Sequence, residues 1–244
     1  MVNADSSTVA LDETTSPAPL ALRAPAASSA GVLDRARPHA PWQAVKRGVE
    51  PVVAVLLLLA LLPVLLLVAL AVKIDSRGPV LFRQRRVGHR LTEFPVLKFR
   101  TMIHNAPEEL HREYIADMVR SGDGDEQSIK KMTDDPRITK IGAFLRRTSL
   151  DELPQLINVV LGQMSLVGPR PAIAYELEHY EDHHFARFDV RPGMTGLWQV
   201  SGRNELSFTD MLDLDVRYTR EAGPSKDLQI LARTPIAVVR KHVA

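Results

Sequence analysis

Two adjacent acids, Asp151 and Glu152, are the residues of this 244-residue chain whose type and spacing are best suited to chemistry. They open an amphipathic stretch, TSLDELPQLINVV, that predicts a helix over 150–161. Neighbouring helix positions point about 100° apart, so the two carboxyl groups can divide the work of attacking or metal binding and of proton transfer. A structural role competes, because Ser149 and Glu152 fit an S-x-x-E capping box and Asp151 can itself cap a helix. On spacing alone, capping is the commoner explanation.

Basic side chains suited to phosphate binding occur at three further places. Lys98 and Arg100 alternate along LKFRTM, so a strand would point both to one face, as phosphate ligands or as a surface pair. Arg170 stands in a stiff turn, SLVGPRPA, where its planar guanidinium suits a phosphate or is simply solvated. The glycine-rich segment RPGMTGLWQVSGRN carries Arg203 and allows close approach to a nucleotide, while its Trp198 is more typical of a core residue.

Several functional classes are disfavoured by motifs that the sequence lacks. The eight histidines show no H-E-x-x-H spacing, Walker and G-x-G-x-x-G phosphate loops are missing, and the chain contains no cysteine. The segment 73–100 is strongly basic but has little aromatic interleaving, which disfavours a nucleic-acid partner. This basic segment indicates anionic lipid headgroups, a phosphorylated substrate, or a plain anchor beside a membrane.

Hydrophobic periodicity predicts a mixed domain in which helices outnumber strands. Strands are expected at 80–82 and 94–99, and helices at 107–120, 141–147, 150–161, 172–188 and as a final pair near the C-terminus. Loops are expected at 121–128 and in the glycine- and proline-rich region 191–204. These elements must bring the acidic pair and the scattered cations together.

An unbroken apolar run over 52–72 is long enough to cross a bilayer once, since it would extend roughly 31 Å as a helix. Basic residues flank it on both sides, which the positive-inside rule does not favour for a spanning helix. Pro63 at its centre allows a bend that returns the chain to the side it entered, and a kinked spanning helix is the alternative. The first forty residues, rich in Ala, Ser, Thr and Pro, predict a disordered tail rather than a signal peptide.

Six segments occur in this order along the chain: KRGVEP, the proline-broken apolar run, DSRGPVLFRQRRVG, LKFRTM, DDPRITKIGAFLRRTSLDELPQLINVVLGQMSLVGPRP and RPGMTGLWQVSGRN. Together they resemble the bacterial sugar transferase family, the monotopic polyprenyl-phosphate hexose-1-phosphate transferases that begin lipid-linked glycan assembly. The chain departs from the family pattern at Leu62, where a serine often precedes the proline. It departs again near Leu91, where a second glycine is expected after Gly88.

The resemblance implies a role for each candidate residue. Asp151 would be the nucleophile that attacks a UDP-sugar's diphosphate and releases UMP, and Glu152 would help in proton transfer or in binding Mg²⁺ with Asp151. The expected substrate-binding residues are Lys98, Arg100, Arg146, Arg170, Arg203 and Asp215. Of these, Lys98, Arg146 and Arg170 match cationic positions of the family, and Asp215 in LDLDVRY matches a family acid near the site.

The sequence therefore predicts a mainly helical α+β, monotopic membrane enzyme with a disordered tail (1–41), a re-entrant helix (42–75) and a cytoplasmic catalytic domain (76–244). The expected donor is a UDP-sugar, with a weak preference for glucose or galactose, and the expected acceptor is undecaprenyl phosphate at the inner membrane of a bacterium. Membrane lipids are expected partners, nucleic acid is not, and a homodimer is left open. The alternatives are a catalytically silent membrane-anchored scaffold or nucleotide-sugar-binding partner, and an ordinary glycosyltransferase that releases UDP.

Overall fold

A single long helix, α1 (Ala40–Asp75), opens the part of the chain that the structure describes. The structure is a computed structural model, and it describes residues 40–103, 135–202 and 206–240. The helix continues through Pro51 and Pro63, so no non-helical linker interrupts the apolar run. By length and composition α1 can cross a membrane, although most of its apolar stretch is exposed on the protein surface. Residues 1–39 of the predicted tail, the helix at 107–120, the loop at 121–128 and Arg203 lie outside the described residues. Residues 40 and 41 of the predicted tail instead form the start of α1.

A β-hairpin follows the helix. Strand β1 (Leu81–Val87) pairs antiparallel with β2 (Glu93–Phe99), which confirms both predicted strands and extends the first one. The 3₁₀ turn His89–Leu91 joins them, and its Arg90 and Leu91 both have positive φ angles, of 56° and 59°. The missing family glycine thus falls in a left-handed backbone region that ordinarily favours glycine.

Short elements build the rest of the domain. They are α2 (Lys140–Thr148), a 3₁₀ turn (Leu150–Glu152), α3 (Gln155–Val160), β3 (Ser165–Val167), 3₁₀ turns Ala174–His179 and Asp182–Asp189, β4 (Gly193–Thr195), α4 (Leu197–Ser201), α5 (Phe208–Glu221) and α6 (Pro224–Arg240). Strands β3 and β4 form a second, parallel pair. The predicted helix at 141–147 and the final helical pair are confirmed, whereas 191–204 holds a strand and a short helix in addition to turns.

The prediction of a helix at 172–188 is wrong, because the segment forms two 3₁₀ turns separated by Tyr180, which has an extended backbone. Side chains there bond to nearby backbone and start each turn anew: Glu176 accepts from the N–H of Ile173, and His184 Nδ1 accepts from the N–H of Glu181. Such local bonds compete with continuation of a helix. The two turns pack their aromatic rings, with Leu91, into one hydrophobic cluster.

One face of α1 packs along the domain over almost its whole length. Ala54 joins a cluster with Phe94 and Leu156, and Val68 and Val72 join a second cluster on α2 and β2. Polar contacts hold both ends of the helix. Trp42 and Lys46 bond to Asp227 of α6, while the Arg100 guanidinium donates to the carbonyls of Val72, Ser76 and Arg77.

Candidate active site

The Asp151–Glu152 pair lies on the 3₁₀ turn between α2 and α3, entered through Ser149 in a left-handed conformation with φ of 55°. The Ser149 side chain makes no capping hydrogen bond here, so the capping box that the spacing allowed is not formed. Pro154 directly precedes α3, at a position where a backbone N–H is not needed. The 3₁₀ turn therefore ends directly after the acids. Asp151 is buried in the resulting corner, and Glu152 is partly exposed beside it.

Lys98 and Arg146 supply positive charge from two sides of this corner. Lys98, near the end of β2, forms an ion pair with Glu152, with 3.0 Å between Nζ and Oε1. Arg146, in the last turn of α2, donates from Nε to Thr101 Oγ1 over 2.9 Å. Burial lowers the pKa of Arg146 and the nearby Asp151 carboxylate opposes this effect, so the two charges lie within electrostatic reach.

The approach of α2 to the strand end depends on Gly142. A Cβ atom at this position would lie 2.0 Å from the carbonyl oxygen of Thr101, so only glycine lets the helix pack so closely. The N–H of Thr139, which caps α2, donates to the same carbonyl over 3.1 Å. This contact explains how Arg146 reaches Thr101 and the acidic corner.

Arg170 lies in the turn Gly168–Pro169–Arg170–Pro171, which we call the GPRP turn. Its guanidinium donates to Glu176 Oε1 over 3.0 Å, and about a third of its side chain is exposed. Burial lowers the pKa of Arg170, but Glu176 outweighs it so that the pKa is raised, and Glu152 adds to that effect. Arg170 therefore lies within electrostatic reach of Glu152.

Glu176 is fully buried between two guanidinium groups, those of Arg170 and Arg86. Burial alone raises the pKa of Glu176, yet the two arginines lower it overall, which keeps the carboxylate ionised. Arg86 donates to the Pro171 carbonyl, and burial lowers its pKa to about 10. Three basic side chains thus lie around the acids: Lys98, Arg146 and Arg170. A fourth, Arg86, supports the GPRP turn through its bond to the Pro171 carbonyl.

Two of the predicted substrate-binding residues occupy other surroundings. Arg100 follows the last residue of β2, and its bonds go to backbone carbonyls at the end of α1 rather than toward Glu152. Asp215 is buried in an ion pair with Arg187, with 2.6 Å between Oδ2 and Nη2. The sequence reasoning missed Arg86, Glu176 and Arg187, since nothing in the RQRR or RFDV segments marks a buried arginine.

Carboxylate oxygens at the acidic corner suit a magnesium ion, because Mg²⁺ is commonly held by one or two carboxylates together with substrate phosphates. A different cluster, His183, His184 and Asp213, also has ligand atoms close together. There, however, His184 Nδ1 accepts the N–H of Glu181, which places the proton of a neutral ring on Nε2, 3.3 Å from Asp213 Oδ1. Nε2 is then a donor and lacks the lone pair that metal binding requires.

Comparison with known proteins assigns the chain to a family. A family model described as Bacterial sugar transferase matches residues 42–241. The chain is 40% identical to the exopolysaccharide production protein ExoY of Sinorhizobium fredii, over 79% of this chain and 84% of that protein. It is 39% identical to the undecaprenyl-phosphate galactose phosphotransferase of Salmonella typhimurium, over 82% of this chain and 41% of the relative.

A third relative, the UDP-glucose:undecaprenyl-phosphate glucose-1-phosphate transferase of Xanthomonas campestris, is 39% identical over 80% of this chain and 39% of its own length. The chain thus spans about two fifths of the length of these two phosphotransferases. The chain belongs to the bacterial sugar transferase family, and the resemblance in its motifs is confirmed.

Proposed function

We propose that this chain is a phosphoglycosyl transferase that moves a hexose-1-phosphate from a UDP-sugar to undecaprenyl phosphate in exopolysaccharide synthesis. The observation that carries the proposal is the corner in which buried Asp151 and Glu152 face Lys98 and Arg146. A nucleophilic carboxylate surrounded by cations suits attack on the diphosphate of a nucleotide sugar, because the cations offset the negative charge of the diphosphate. The names of the two phosphotransferases supply the donor and acceptor classes.

In the proposed mechanism the Asp151 carboxylate attacks the phosphorus that carries the sugar. The bond from this phosphorus to the bridging oxygen breaks, UMP leaves, and a phosphosugar-aspartate forms. Undecaprenyl phosphate then attacks the same phosphorus through one of its oxygens and displaces the Asp151 carboxylate, giving the lipid diphosphate sugar. Both displacements conserve the sugar–oxygen bond, which distinguishes them from glycosyl transfer.

The cations have a defined task in this scheme. Charge accumulates on phosphoryl oxygens in each displacement, and Lys98, Arg146 and Arg170 can stabilise it because they are already in place. Glu152 holds Lys98 and would accept or return a proton at the acceptor phosphate. When bound at Asp151 and Glu152, Mg²⁺ would supply further neutralisation of diphosphate charge.

We further propose a monotopic arrangement at the cytoplasmic face of the bacterial inner membrane. The N-terminal end of α1 bonds to Asp227 and its C-terminal end to Arg100, both parts of one domain. A helix with both ends held to one domain does not carry its ends to opposite sides of a bilayer without breaking these contacts. The exposed leucines and valines of α1 would then face lipid, at the depth where a lipid phosphate meets the catalytic corner.

The activity is tested by nucleotide release. Purified protein in detergent receives Mg²⁺, undecaprenyl phosphate and either UDP-glucose or UDP-galactose, and released nucleotides are separated by chromatography. We expect UMP from the wild type, none from Asp151→Asn, and normal release from the matched control Asp182→Asn, whose side chain is exposed. Release of UDP would indicate glycosyl transfer, and no nucleotide from folded protein would favour the silent scaffold.

Topology is tested by cysteine labelling, which the cysteine-free sequence makes specific. Single variants Ala44→Cys and Arg77→Cys place a thiol at each exposed end of α1. With a membrane-impermeant maleimide, both should react in inverted vesicles and neither in intact spheroplasts. Labelling of Ala44→Cys from outside the cell would contradict the re-entrant arrangement and favour a spanning helix.

A further inference from the structure

The GPRP turn is held by contacts from three separate elements. Because Pro169 and Pro171 have no backbone N–H, the turn cannot support itself through ordinary backbone pairing. Its successive carbonyls are satisfied one by one: that of Pro169 by the N–H of Gly193, that of Arg170 by Arg187 Nη2, and that of Pro171 by Arg86 Nη1. The turn's geometry therefore depends on side chains supplied from elsewhere in the domain.

Arg187 and Asp215 together enclose the peptide group of Arg170. Arg187 Nη2 lies 2.6 Å from the Arg170 carbonyl oxygen and 2.6 Å from Asp215 Oδ2. The backbone N–H of Arg170 helps to lower the pKa of Asp215, so the carboxylate lies beside this peptide group. The carbonyl of Arg170 is thus held by Arg187, and Arg187 is held in turn by its ion pair with Asp215.

Both members of this pair are removed from solvent, with side chains 3% and 2% exposed for Arg187 and Asp215. Arg187 also donates to the Tyr180 hydroxyl and stacks over the Tyr180 ring, which fixes its orientation. Burial of this extent keeps either group from contacting a substrate directly. The Arg170 side chain, by contrast, is about one third exposed.

The backbone of Arg170 determines where its guanidinium is aimed. A residue that precedes proline is restricted to extended conformations, so fixing its peptide group also fixes the direction of its Cα–Cβ bond. Glu176 then holds the guanidinium at the edge of the acidic corner, over a distance of 3.0 Å. Loss of the Arg187–Asp215 pair would free the carbonyl of Arg170 and displace this side chain.

We propose that Arg187 and Asp215 are positioning residues that hold the Arg170 peptide group so that its guanidinium meets the donor diphosphate. This inference rests on the proposed function, because it assigns Arg170 to the UDP-sugar. It also changes the role expected for Asp215, from a ligand of the substrate to a support for one. Misplacement of a catalytic-site group by about 1 Å is enough to cost about a hundredfold in rate.

The test is a double-mutant cycle on UDP-sugar kinetics with the full chain in detergent. Arg187→Lys keeps the charge but loses the planar fork that reaches two acceptors at once. We expect kcat/KM for the UDP-sugar to fall about tenfold to a hundredfold, mainly through kcat, because Arg170 acts on charge that develops during the displacement. In an Arg170→Ala background the same substitution should have almost no further effect, since the group that it positions is missing.

Two comparisons separate positioning from a general loss of structure. Arg217→Lys, the same substitution at a largely exposed arginine on α5, should leave KM and kcat unchanged. Thermal unfolding of each variant identifies misfolding, and Asp215→Asn provides a second route to the same cycle if Arg187→Lys does not fold. A fall in kcat/KM that persists in full in the Arg170→Ala background, or an unchanged kcat/KM in folded Arg187→Lys, would overturn the inference. Failure of the wild type to bind or cleave any UDP-sugar would instead refute the proposed function and this inference with it.

Discussion

Lys46 holds the N-terminal end of the membrane helix to the domain, and replacing it is the sharpest test of that attachment. Its ammonium group donates to the Val167 carbonyl and to Asp227 Oδ2, each over 2.7 Å, and to the Tyr218 hydroxyl over 3.1 Å. The side chains of Lys46 and Asp227 are 5% and 7% exposed. Lys46→Met keeps most of the side-chain volume and removes the charge, its three hydrogen bonds and its ion pair with Glu50, whose Oε1 lies 3.6 Å from Nζ.

The expected loss is large because the partners stay buried. Breaking a buried ion pair by removing one member costs about 3–5 kcal/mol of unfolding free energy, since the remaining charge has lost its counterion. Asp227 keeps its bonds from Trp42 and Tyr218, which places the estimate nearer the lower end, about 3 kcal/mol. For a domain of this size that corresponds to a lowering of Tm by about 6–12 °C.

The assay is thermal unfolding in detergent, followed by circular dichroism. The double variant Lys46→Met with Asp227→Asn should be more stable than Lys46→Met alone, because it removes one of the two carboxylates left without a counterion, the other being Glu50. Lys140→Met, at an exposed lysine, is the matched control and should leave Tm within about 2 °C of the wild type. A Tm unchanged in Lys46→Met, or a double variant less stable than both single ones, would refute this account.

Three other predictions concern the site and the hairpin. Burial raises the pKa of Asp215 to about 6, above its ordinary 3.8, so between these two pH values the folded chain holds a proton on Asp215 that the unfolded chain has lost. The unfolding free energy should therefore fall as pH rises from about 4 to 6. Asp215→Asn should remove this pH dependence in denaturant titrations. Lys98→Met should change the unfolding free energy by less than about 1 kcal/mol, because its pair with Glu152 is partly exposed, yet lower UMP release about a hundredfold. Arg90→Gly should stabilise the chain by up to about 1 kcal/mol, because glycine adopts the positive φ of this position without strain. Leu91→Gly should not stabilise it, since Leu91 also packs into the aromatic cluster. Thermal unfolding of the two variants measures both effects.

Local signals were sufficient for the elements that carry the acids. Helix α2 has an apolar face and a capping threonine, Thr139, that accepts from the N–H of Gly142, so its bounds follow closely from the sequence. The paired strands are recognisable from their apolar residues. The segment 172–188 has helical spacing too, but its buried Glu176 and His184 bond to backbone at the start of each turn, and no periodicity reveals such bonds.

The candidate site was predictable by residue type and less so by surroundings. Asp151, Glu152, Lys98 and Arg146 do come together, although they lie on three different elements. Arg100 was expected on the same face as Lys98, but β2 ends at Phe99, so the alternation that would place them together stops before Arg100.

The helices, strands and turns around the acidic corner are too short to position it through backbone hydrogen bonds alone. Buried charged side chains therefore hold the corner in place. Within residues 40–103, 135–202 and 206–240 each sheet has two strands, and the acids stand on a single 3₁₀ turn, so few backbone ladders fix the corner. A turn with two prolines has fewer backbone N–H donors, and guanidinium groups from β1 and from the Asp182–Asp189 turn donate to two of its carbonyls. Substitutions at such arginines should therefore impair catalysis as strongly as substitutions of residues that contact the substrate.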